Sequence, residues 1–386
     1  MPMSAHKPTE RPTRLFLCGD VMTGRGIDQI LRQPCDPVLH EPNTSSALDY
    51  VRLAEAANGP ILRGVGPAYI WGAALDEFDR MRPDARIVNL ETAITRSDNY
   101  DPKGINYRTS PDNAGCLKAA GIDCCVLGNN HVLDWGRSGL LDTLTALERL
   151  QIKTAGAGRN RVEAAVPAIL DITGGGRALV FSFACATAGV PRAWAARSAT
   201  PGVNFLDQAS RTSALRIADQ IGRMRSPDDL IVVSVHWGPN WGYEVAEEQR
   251  QFAHALIDAA DVAVVYGHSS HHPKAVEVYR NRLILYGCGD FLNDYEGIAG
   301  YERYRDDLAL MYFADFDRVS RALRGVEIVP LQIRNFHLVR PSEQDVGWMQ
   351  RVLAREYGKF GAGLLMKEDG HFALSWEKRA APQKAI

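Results

Sequence analysis

The runs RLFLC (14–18), DCCVL (123–127), ALVFSFA (178–184) and DLIVVSV (229–235) are apolar at almost every position. A strand built from such a run has no polar face to turn to water, so both faces must be covered. RIVNL (86–90), DVAVVY (261–266), AVEVY (275–279) and RLILY (282–286) read the same way. Between several of these runs, apolar residues recur three and four apart, in RSGLLDTLTALERL (137–150), QASRTSALRIADQIGRMR (208–225) and EEQRQFAHALIDAA (247–260). That spacing predicts helices with a single apolar stripe. Strands alternating with helices make an α/β protein. Beyond residue 275 the pattern changes. AVEVYRNRLILYG reads as a hairpin, and LALMYFADF and GVEIVPLQI as further antiparallel strands. A mixed sheet, or two sheets between helices, fits this better than a purely parallel one.

The expected organisation is a disordered tail over 1–13, one domain over 14–340, and a C-terminal helix and polar tail over 341–386. The Pro-containing stretch 31–75 reads as an insertion near the end of the first strand. Net charge is −2 with both signs dispersed, which points to neither a nucleic-acid nor a membrane partner. No apolar run is long enough to span a bilayer, and the N-terminus has no signal-peptide core. The seven cysteines show no CxxC spacing. Cys18, Cys124, Cys125, Cys185 and Cys288 lie in strand-like runs and read as packing residues, which suits a reducing cytoplasm.

In open α/β sheets, chemistry collects where strands end. CGDVMTGRG follows the first strand and brings Asp20 and Arg25. NLETAI brings Asn89 and Glu91, and GNNHVLDWG brings Asn129, Asn130 and His131. HWGPNWG brings His236, GHSSHH brings His268, His271 and His272, and GCGDFLND brings Asp290, Asn293 and Asp294. Each taken alone has a plain reading: Asp20 as a helix cap, Asn129 and Asn130 as turn residues, His236 as a hydrogen-bonded core histidine. Together they are the mixed nitrogen and oxygen donors that Zn²⁺, Mn²⁺ or Fe²⁺ requires. His268 and His271, three apart on a Gly/Ser-rich turn, can be aimed at two neighbouring ions. His272, before Pro273, reads as a supporting group, a proton carrier or an exposed side chain.

GDVMTGR, NLE, NNHVLDWG, VHWG, GHSSHHPKAVEVY and LILYGCGDFLND, in this order over residues 14–335, resemble the CapA family of capsule and poly-γ-glutamate biosynthesis proteins, a branch of the calcineurin-like metallophosphoesterases. The resemblance implies a four-layer α/β/β/α sandwich with mixed sheets and a pair of divalent ions at the strand ends. It implies that Asp20 and His271 ligate the first ion and that Asn130, His236 and His268 ligate the second. Glu91 would bridge the two, and His131 would transfer protons beside them. Two motifs depart from the parent pattern, one of them because Glu91 replaces its bridging aspartate. In the other, the parent's first-strand D-x-H is here Asp20-Val21-Met22, and a thioether is a poor ligand for a hard cation.

Among family members, the soluble peptide epimerases of lasso-peptide biosynthesis match an anchorless chain best. That reading expects inversion at the Cα of a precursor's C-terminal residue. His131 and a second group, His272, Asp290 or Lys103, would exchange the proton. Arg25 and Arg108 would clamp a carboxylate, with Lys103 and Trp237 completing the substrate site. The alternatives are a metal-dependent hydrolase of a phosphoester, poly-γ-glutamate or peptide, and a non-catalytic assembly factor for an anionic polymer.

Overall fold

The computed structural model describes residues 11–173 and 175–377. Positions 1–10 of the expected tail and the last positions, 378–386, lie outside the described residues. The chain enters at β1 (Thr13–Val21), followed by helices α1 (Gly26–Ile30), α2 (Ala47–Asn58) and α3 (Ala73–Met81). Next come β2 (Ala85–Leu90), β3 (Cys124–Val126), α4 (Gly136–Arg149) and β4 (Lys153–Ala155). The second half opens with β5 (Ala168–Asp171), β6 (Arg177–Cys185), α5 (Arg211–Met224), β7 (Leu230–His236), α6 (Glu247–Ala260) and β8 (Val264–His268). The hairpin is β9 (Val276–Tyr279) and β10 (Arg282–Leu285). It is followed by β11 (Asp290–Leu292), β12 (Leu308–Phe316) and β13 (Leu323–Arg334). Helix α7 (Glu343–Gly358) and strands β14 (Ala362–Met366) and β15 (Phe372–Trp376) complete it.

Two mixed sheets result. The first runs β14-β15-β13-β12-β1-β2-β3-β4, with β11 pairing β1. In the second, β6-β7-β8-β10-β9 are neighbours in that order, and β5 pairs β6. Strands β1, β2, β3 and β4 are parallel, as are β6, β7, β8 and β10, while β12 joins β1 antiparallel.

Alternate residues of each strand enter different layers, as the period of two requires. Leu15 and Leu17 of β1 face Val180, Val232 and Tyr266 in a core between the sheets. Phe16 and Cys18 point outward, to Ile27, Val51, Phe78 and Leu144 on the first helical layer. On the far side, Phe181 and Val233 meet Ile217, Ile221, Phe252 and Leu256 of α5 and α6. This is a four-layer α/β/β/α sandwich, as the resemblance implied, and it explains why the strand sequences have no polar face. Each side chain so buried contributes roughly 1.5–3 kcal/mol before entropy is counted.

The stretch 31–75 builds part of the outer layer, because Val51, Ala54, Ile70 and Trp71 pack into it. The segment after 341 departs from expectation. It holds the helix but continues into β14 and β15, which extend the first sheet beside β13. Their short alternating pattern, AGLLM and FALSW, is hard to tell from a polar tail by composition. Among the described residues no helix is long and apolar enough to cross a membrane. All seven cysteines are buried and free.

Candidate metal centre

Strand register alone brings the polar residues together. Asp20 stands beside Asn89 of β2 and beside Asp290 of β11, and His236 stands beside His268. Strand β11 can come this close because residue 19 is glycine. A Cβ there would lie 1.9 Å from the Gly289 carbonyl oxygen. Gly289, at φ 78°, makes the turn on the other side. The ends of β1 and β2 from one sheet and of β7 and β8 from the other then converge. His268 Nδ1 lies 4.0 Å from Asp20 Oδ1, and His236 Nε2 lies 3.6 Å from Glu91 Oε1.

Two groups have ligand atoms within 4.8 Å of one another: Asp20 with His236 and His268, and Asp20 with His271 and Asp290. Asp20 is common to both. The expected bridge, Glu91, is in neither group, although it lies within reach of His236 and, at 3.9 Å, of His131 Nε2. The reason is topological. Asp20 sits on the strand between β2 and β11 and faces the second sheet, so it reaches both sides. Asn130 Oδ1 lies 3.1 Å from His236 Nε2, on the side of the second expected ion.

Neighbouring groups hold these side chains in place. Asn89 Nδ2 donates to Asp20 Oδ1 at 2.7 Å and to Glu91 Oε2 at 2.8 Å, and Asn129 donates to Asn89. Ser234 Oγ is 2.6 Å from His268 Nε2, and His268 Nδ1 lies 2.8 Å from His236 Nδ1 and 4.0 Å from Asp20 Oδ1. Asp290, expected as a proton carrier, instead binds His271 Nδ1 at 2.9 Å and takes 2.8 Å support from Asn293. It thus completes a candidate ligand group with Asp20 and His271. Met22 itself is buried, and its sulfur lies 3.7 Å from the Tyr295 hydroxyl.

His131 is oriented by Asp134, whose Oδ2 is 2.7 Å from Nδ1, so that Nε2 faces Glu91. Lys103 lies on the same side, 2.7 Å from Asp134 and 3.2 Å from His131 Nδ1. Asp134 was not singled out in the sequence. Its spacing three residues after His131, across one turn, is the signal that points to it.

Four expected residues are placed differently. Arg25 is buried and spends its guanidinium on Asp294 and Glu41, stacked on Tyr50. Arg108 is held by Asp98, Ser97 and Asp36 over the Trp135 ring. Neither has a free fork for a substrate carboxylate. Trp237 packs in the outer core against Phe252 and Tyr286, with its indole nitrogen on the Tyr286 carbonyl. His272 lies in an aromatic cluster beside the centre rather than in it.

Burial pushes the Asp20 carboxyl up to about 7, with the charge of Asp290 adding to the shift. Burial, then Asp20, holds Glu91 well above the usual carboxylate range. Burial also pulls His268 down to about 3, His131 down to about 4 and, together with His268, His236 well down. His271 is the exception, because the Asp290 contact outweighs its burial and raises it. No Lys or Arg among the described residues bonds to Asp20, Glu91 or Asp290. Crowded acids beside neutral imidazoles form a centre short of positive charge, which is what a divalent cation supplies.

Comparison with known proteins agrees with this architecture. Residues 14–295 match the family model described as bacterial capsule synthesis protein PGA_cap. A Mycobacterium tuberculosis protein named probable polyglutamine synthesis accessory protein is 42% identical over 357 residues, covering 92% of this chain and 94% of that one. The PGA biosynthesis protein CapA of Bacillus subtilis is 26% identical, over 91% of this chain and 79% of its own. A solved Mycoplasma pneumoniae phosphatase superposes with a TM-score of 0.47 at 13% identity, over 86% of this chain and 95% of that one, a likeness too remote to bear on chemistry.

Proposed function

Since the chain belongs to the bacterial capsule synthesis protein family, we propose that it is a metal-dependent hydrolase. Its substrate would be an anionic polymer or peptide of the polyglutamate kind, cut at an amide bond. The observation that carries this reading is the pair of ligand groups sharing Asp20, with the His131–Asp134 pair aimed at their edge. Asp20, His236 and His268 would hold one ion, with Asn130 alongside. Asp20, His271 and Asp290 would hold the other, and Glu91 lies between His236 and His131. Mn²⁺, Fe²⁺ and Zn²⁺ all suit such donors. A bound divalent ion supplies Lewis acidity and offsets the carboxylate charge. Asn89 fixes the carboxylates and Ser234 fixes His268. Asp134, by accepting a hydrogen bond from the Nδ1–H of His131, leaves Nε2 as the acceptor that removes a proton from attacking water and returns it to the leaving group.

Epimerisation at a peptide Cα is the second reading of the same centre. It asks for a proton-transfer group on the face opposite His131. Lys103 stands on the side of His131, Asp290 is drawn to His271, and His272 is shut behind aromatic rings. Hydrolysis asks for nothing that the arrangement lacks. Incubation of Mn²⁺-loaded protein with a glutamate oligomer or a precursor peptide in D₂O, followed by mass spectrometry, separates the two. Shortened chains support hydrolysis. An intact chain carrying one deuterium at Cα would replace it with the epimerase.

A further inference from the structure

The imidazole of His271 is held at both nitrogens. Nδ1 faces the carboxylates, 2.9 Å from Asp290 Oδ1. Nε2, across the ring, is 3.1 Å from Asn240 Nδ2. The His271 backbone N–H also donates to the Asn240 carbonyl oxygen at 3.0 Å, so main chain and side chain both tie the two residues together. His271 is buried, whereas Asn240 lies on an exposed turn between Gly238 at φ 79° and Gly242 at φ 107°. Those glycine conformations let the HWGPNWG loop double back onto the GHSSHH loop.

A neutral imidazole that ligates an ion through one nitrogen carries its proton on the other. Nδ1 is the nitrogen beside Asp290, and Asp290 shares a ligand group with His271 and Asp20. Ligation there puts an N–H at Nε2, and a ligating histidine needs an acceptor for that proton to fix its tautomer and its ring plane. Asn240 is in place to be this acceptor. Its amide serves either ring form, offering Nδ2 to a bare Nε2 and, turned over, Oδ1 to Nε2–H. The ring gains and loses no proton in the exchange; the proton changes nitrogen.

We propose that Asn240 is a positioning residue for the ion of Asp20, His271 and Asp290, its amide oxygen accepting the Nε2–H of His271 and so fixing Nδ1 as the ligand atom. The inference rests on the two-ion centre proposed above, and it is independent of the choice between hydrolysis and epimerisation. It concerns one ion of the two, because His268 of the other group has its own partner in Ser234. Trp241, next in the chain, has its ring 5.3 Å from that of His271 and stacks on Tyr301 at 4.0 Å, so its fluorescence reports on this ion's group.

The test is Mn²⁺ titration of the metal-stripped full chain, followed by calorimetry and Trp fluorescence. Wild type should take two ions. Asn240→Leu, which keeps the size of the side chain without an acceptor, should weaken one ion about 10- to 100-fold and leave the other unchanged. Asn240→Asp, which can only accept, should bind both at least as tightly as wild type. Trp241→Phe should keep both affinities and lose the fluorescence change that accompanies the ion weakened in Asn240→Leu. Because residue 240 is exposed, the metal-free variants should melt with wild type. Unchanged or tighter binding in Asn240→Leu would overturn the proposal, since His271 would then ligate through Nε2 in competition with the amide. Equal weakening in the Leu and Asp variants would overturn it too, by making the role of the side chain one of shape alone. Failure of the centre itself reads differently: Asp20→Asn would keep both ions whatever stands at residue 240.

Discussion

Among the described residues, two places bring carboxylates and a histidine within ligand distance. One is the centre around Asp20. The other lies at the outer edge of the first sheet, where Glu327, Asp369 and His371 also have ligand atoms within 4.8 Å of one another. The difference between them is the nearby positive charge. At the outer cluster, Arg80 reaches Asp369 at 3.0 Å, Lys367 reaches Glu327 at 2.9 Å and Arg340 reaches the adjoining Glu77 at 3.0 Å. The His371 hydrogen bond, with Lys367, holds Glu327 down to about 2. At the centre no such cation bonds to the acids, and Asp20 is pushed up to about 7. Proximity of ligand types is therefore common to both places, and a deficit of protein cations is what sets the candidate metal centre apart.

The largest effect expected from this contrast is on turnover. Asp20→Asn or His268→Ala should lower the rate by about 10³-fold or more, as loss of a metal's charge stabilisation does. Asp369→Asn should leave it unchanged, and steady-state kinetics of the three variants decides. Next in size, His131→Ala should cost about 10²–10⁴-fold with metal content retained. Asp134→Asn should cost less and should shift the pH profile, because it disturbs only the orientation and tautomer of His131.

The two regions should also respond to pH with opposite signs. A folded carboxyl raised above its unfolded value keeps a proton that the unfolded chain releases. In metal-free protein the Asp20 contribution is therefore most favourable below about 4 and is lost as pH rises toward about 7. Glu327 is depressed, so its contribution is present above 4.5 and is lost as pH falls through about 2. Relative to Asp20→Asn, metal-free wild type should lose melting temperature as pH rises from about 4 to about 7, and Mn²⁺ should remove that loss. A difference between the two that does not change with pH would break the contrast.

The smaller effects belong to the outer cluster. Glu327→Gln should cost about 1 kcal/mol in urea unfolding at neutral pH, since the ion pairs there are partly exposed. Arg80→Met should let that cluster take up Zn²⁺ weakly, measurable by calorimetry. If it takes up none, geometry rather than counter-charge separates the two places.

Most of this was readable because strand ends mark themselves. RLFLC, RIVNL, DCCVL and LIVVSV stop at the residues that matter, and a parallel sheet aligns such stops. Asp20, Glu91, Asn130, His131, His236, His268 and His271 could be collected that way without knowing which strand neighbours which. What each one does could not. That Asp20 belongs to both candidate ligand groups depends on β11 returning beside β1, a pairing across some 270 residues that no local pattern records. Arg25 and Arg108 looked available because a sequence does not show that Asp294, Glu41 and Asp98 lie close enough to claim them. Strands β14 and β15 were missed because two short, half-exposed strands at the margin of the sheet look much like a polar tail.

Metal analysis of purified protein, reloaded with Mn²⁺ and desalted, tests the central claim most directly. We predict two ions per wild-type chain and the same for Asp369→Asn, with both lost in Asp20→Asn because that carboxylate belongs to both ligand groups. Loss of only one ion in Asp20→Asn, or metal retained there and lost in Asp369→Asn, would contradict the account.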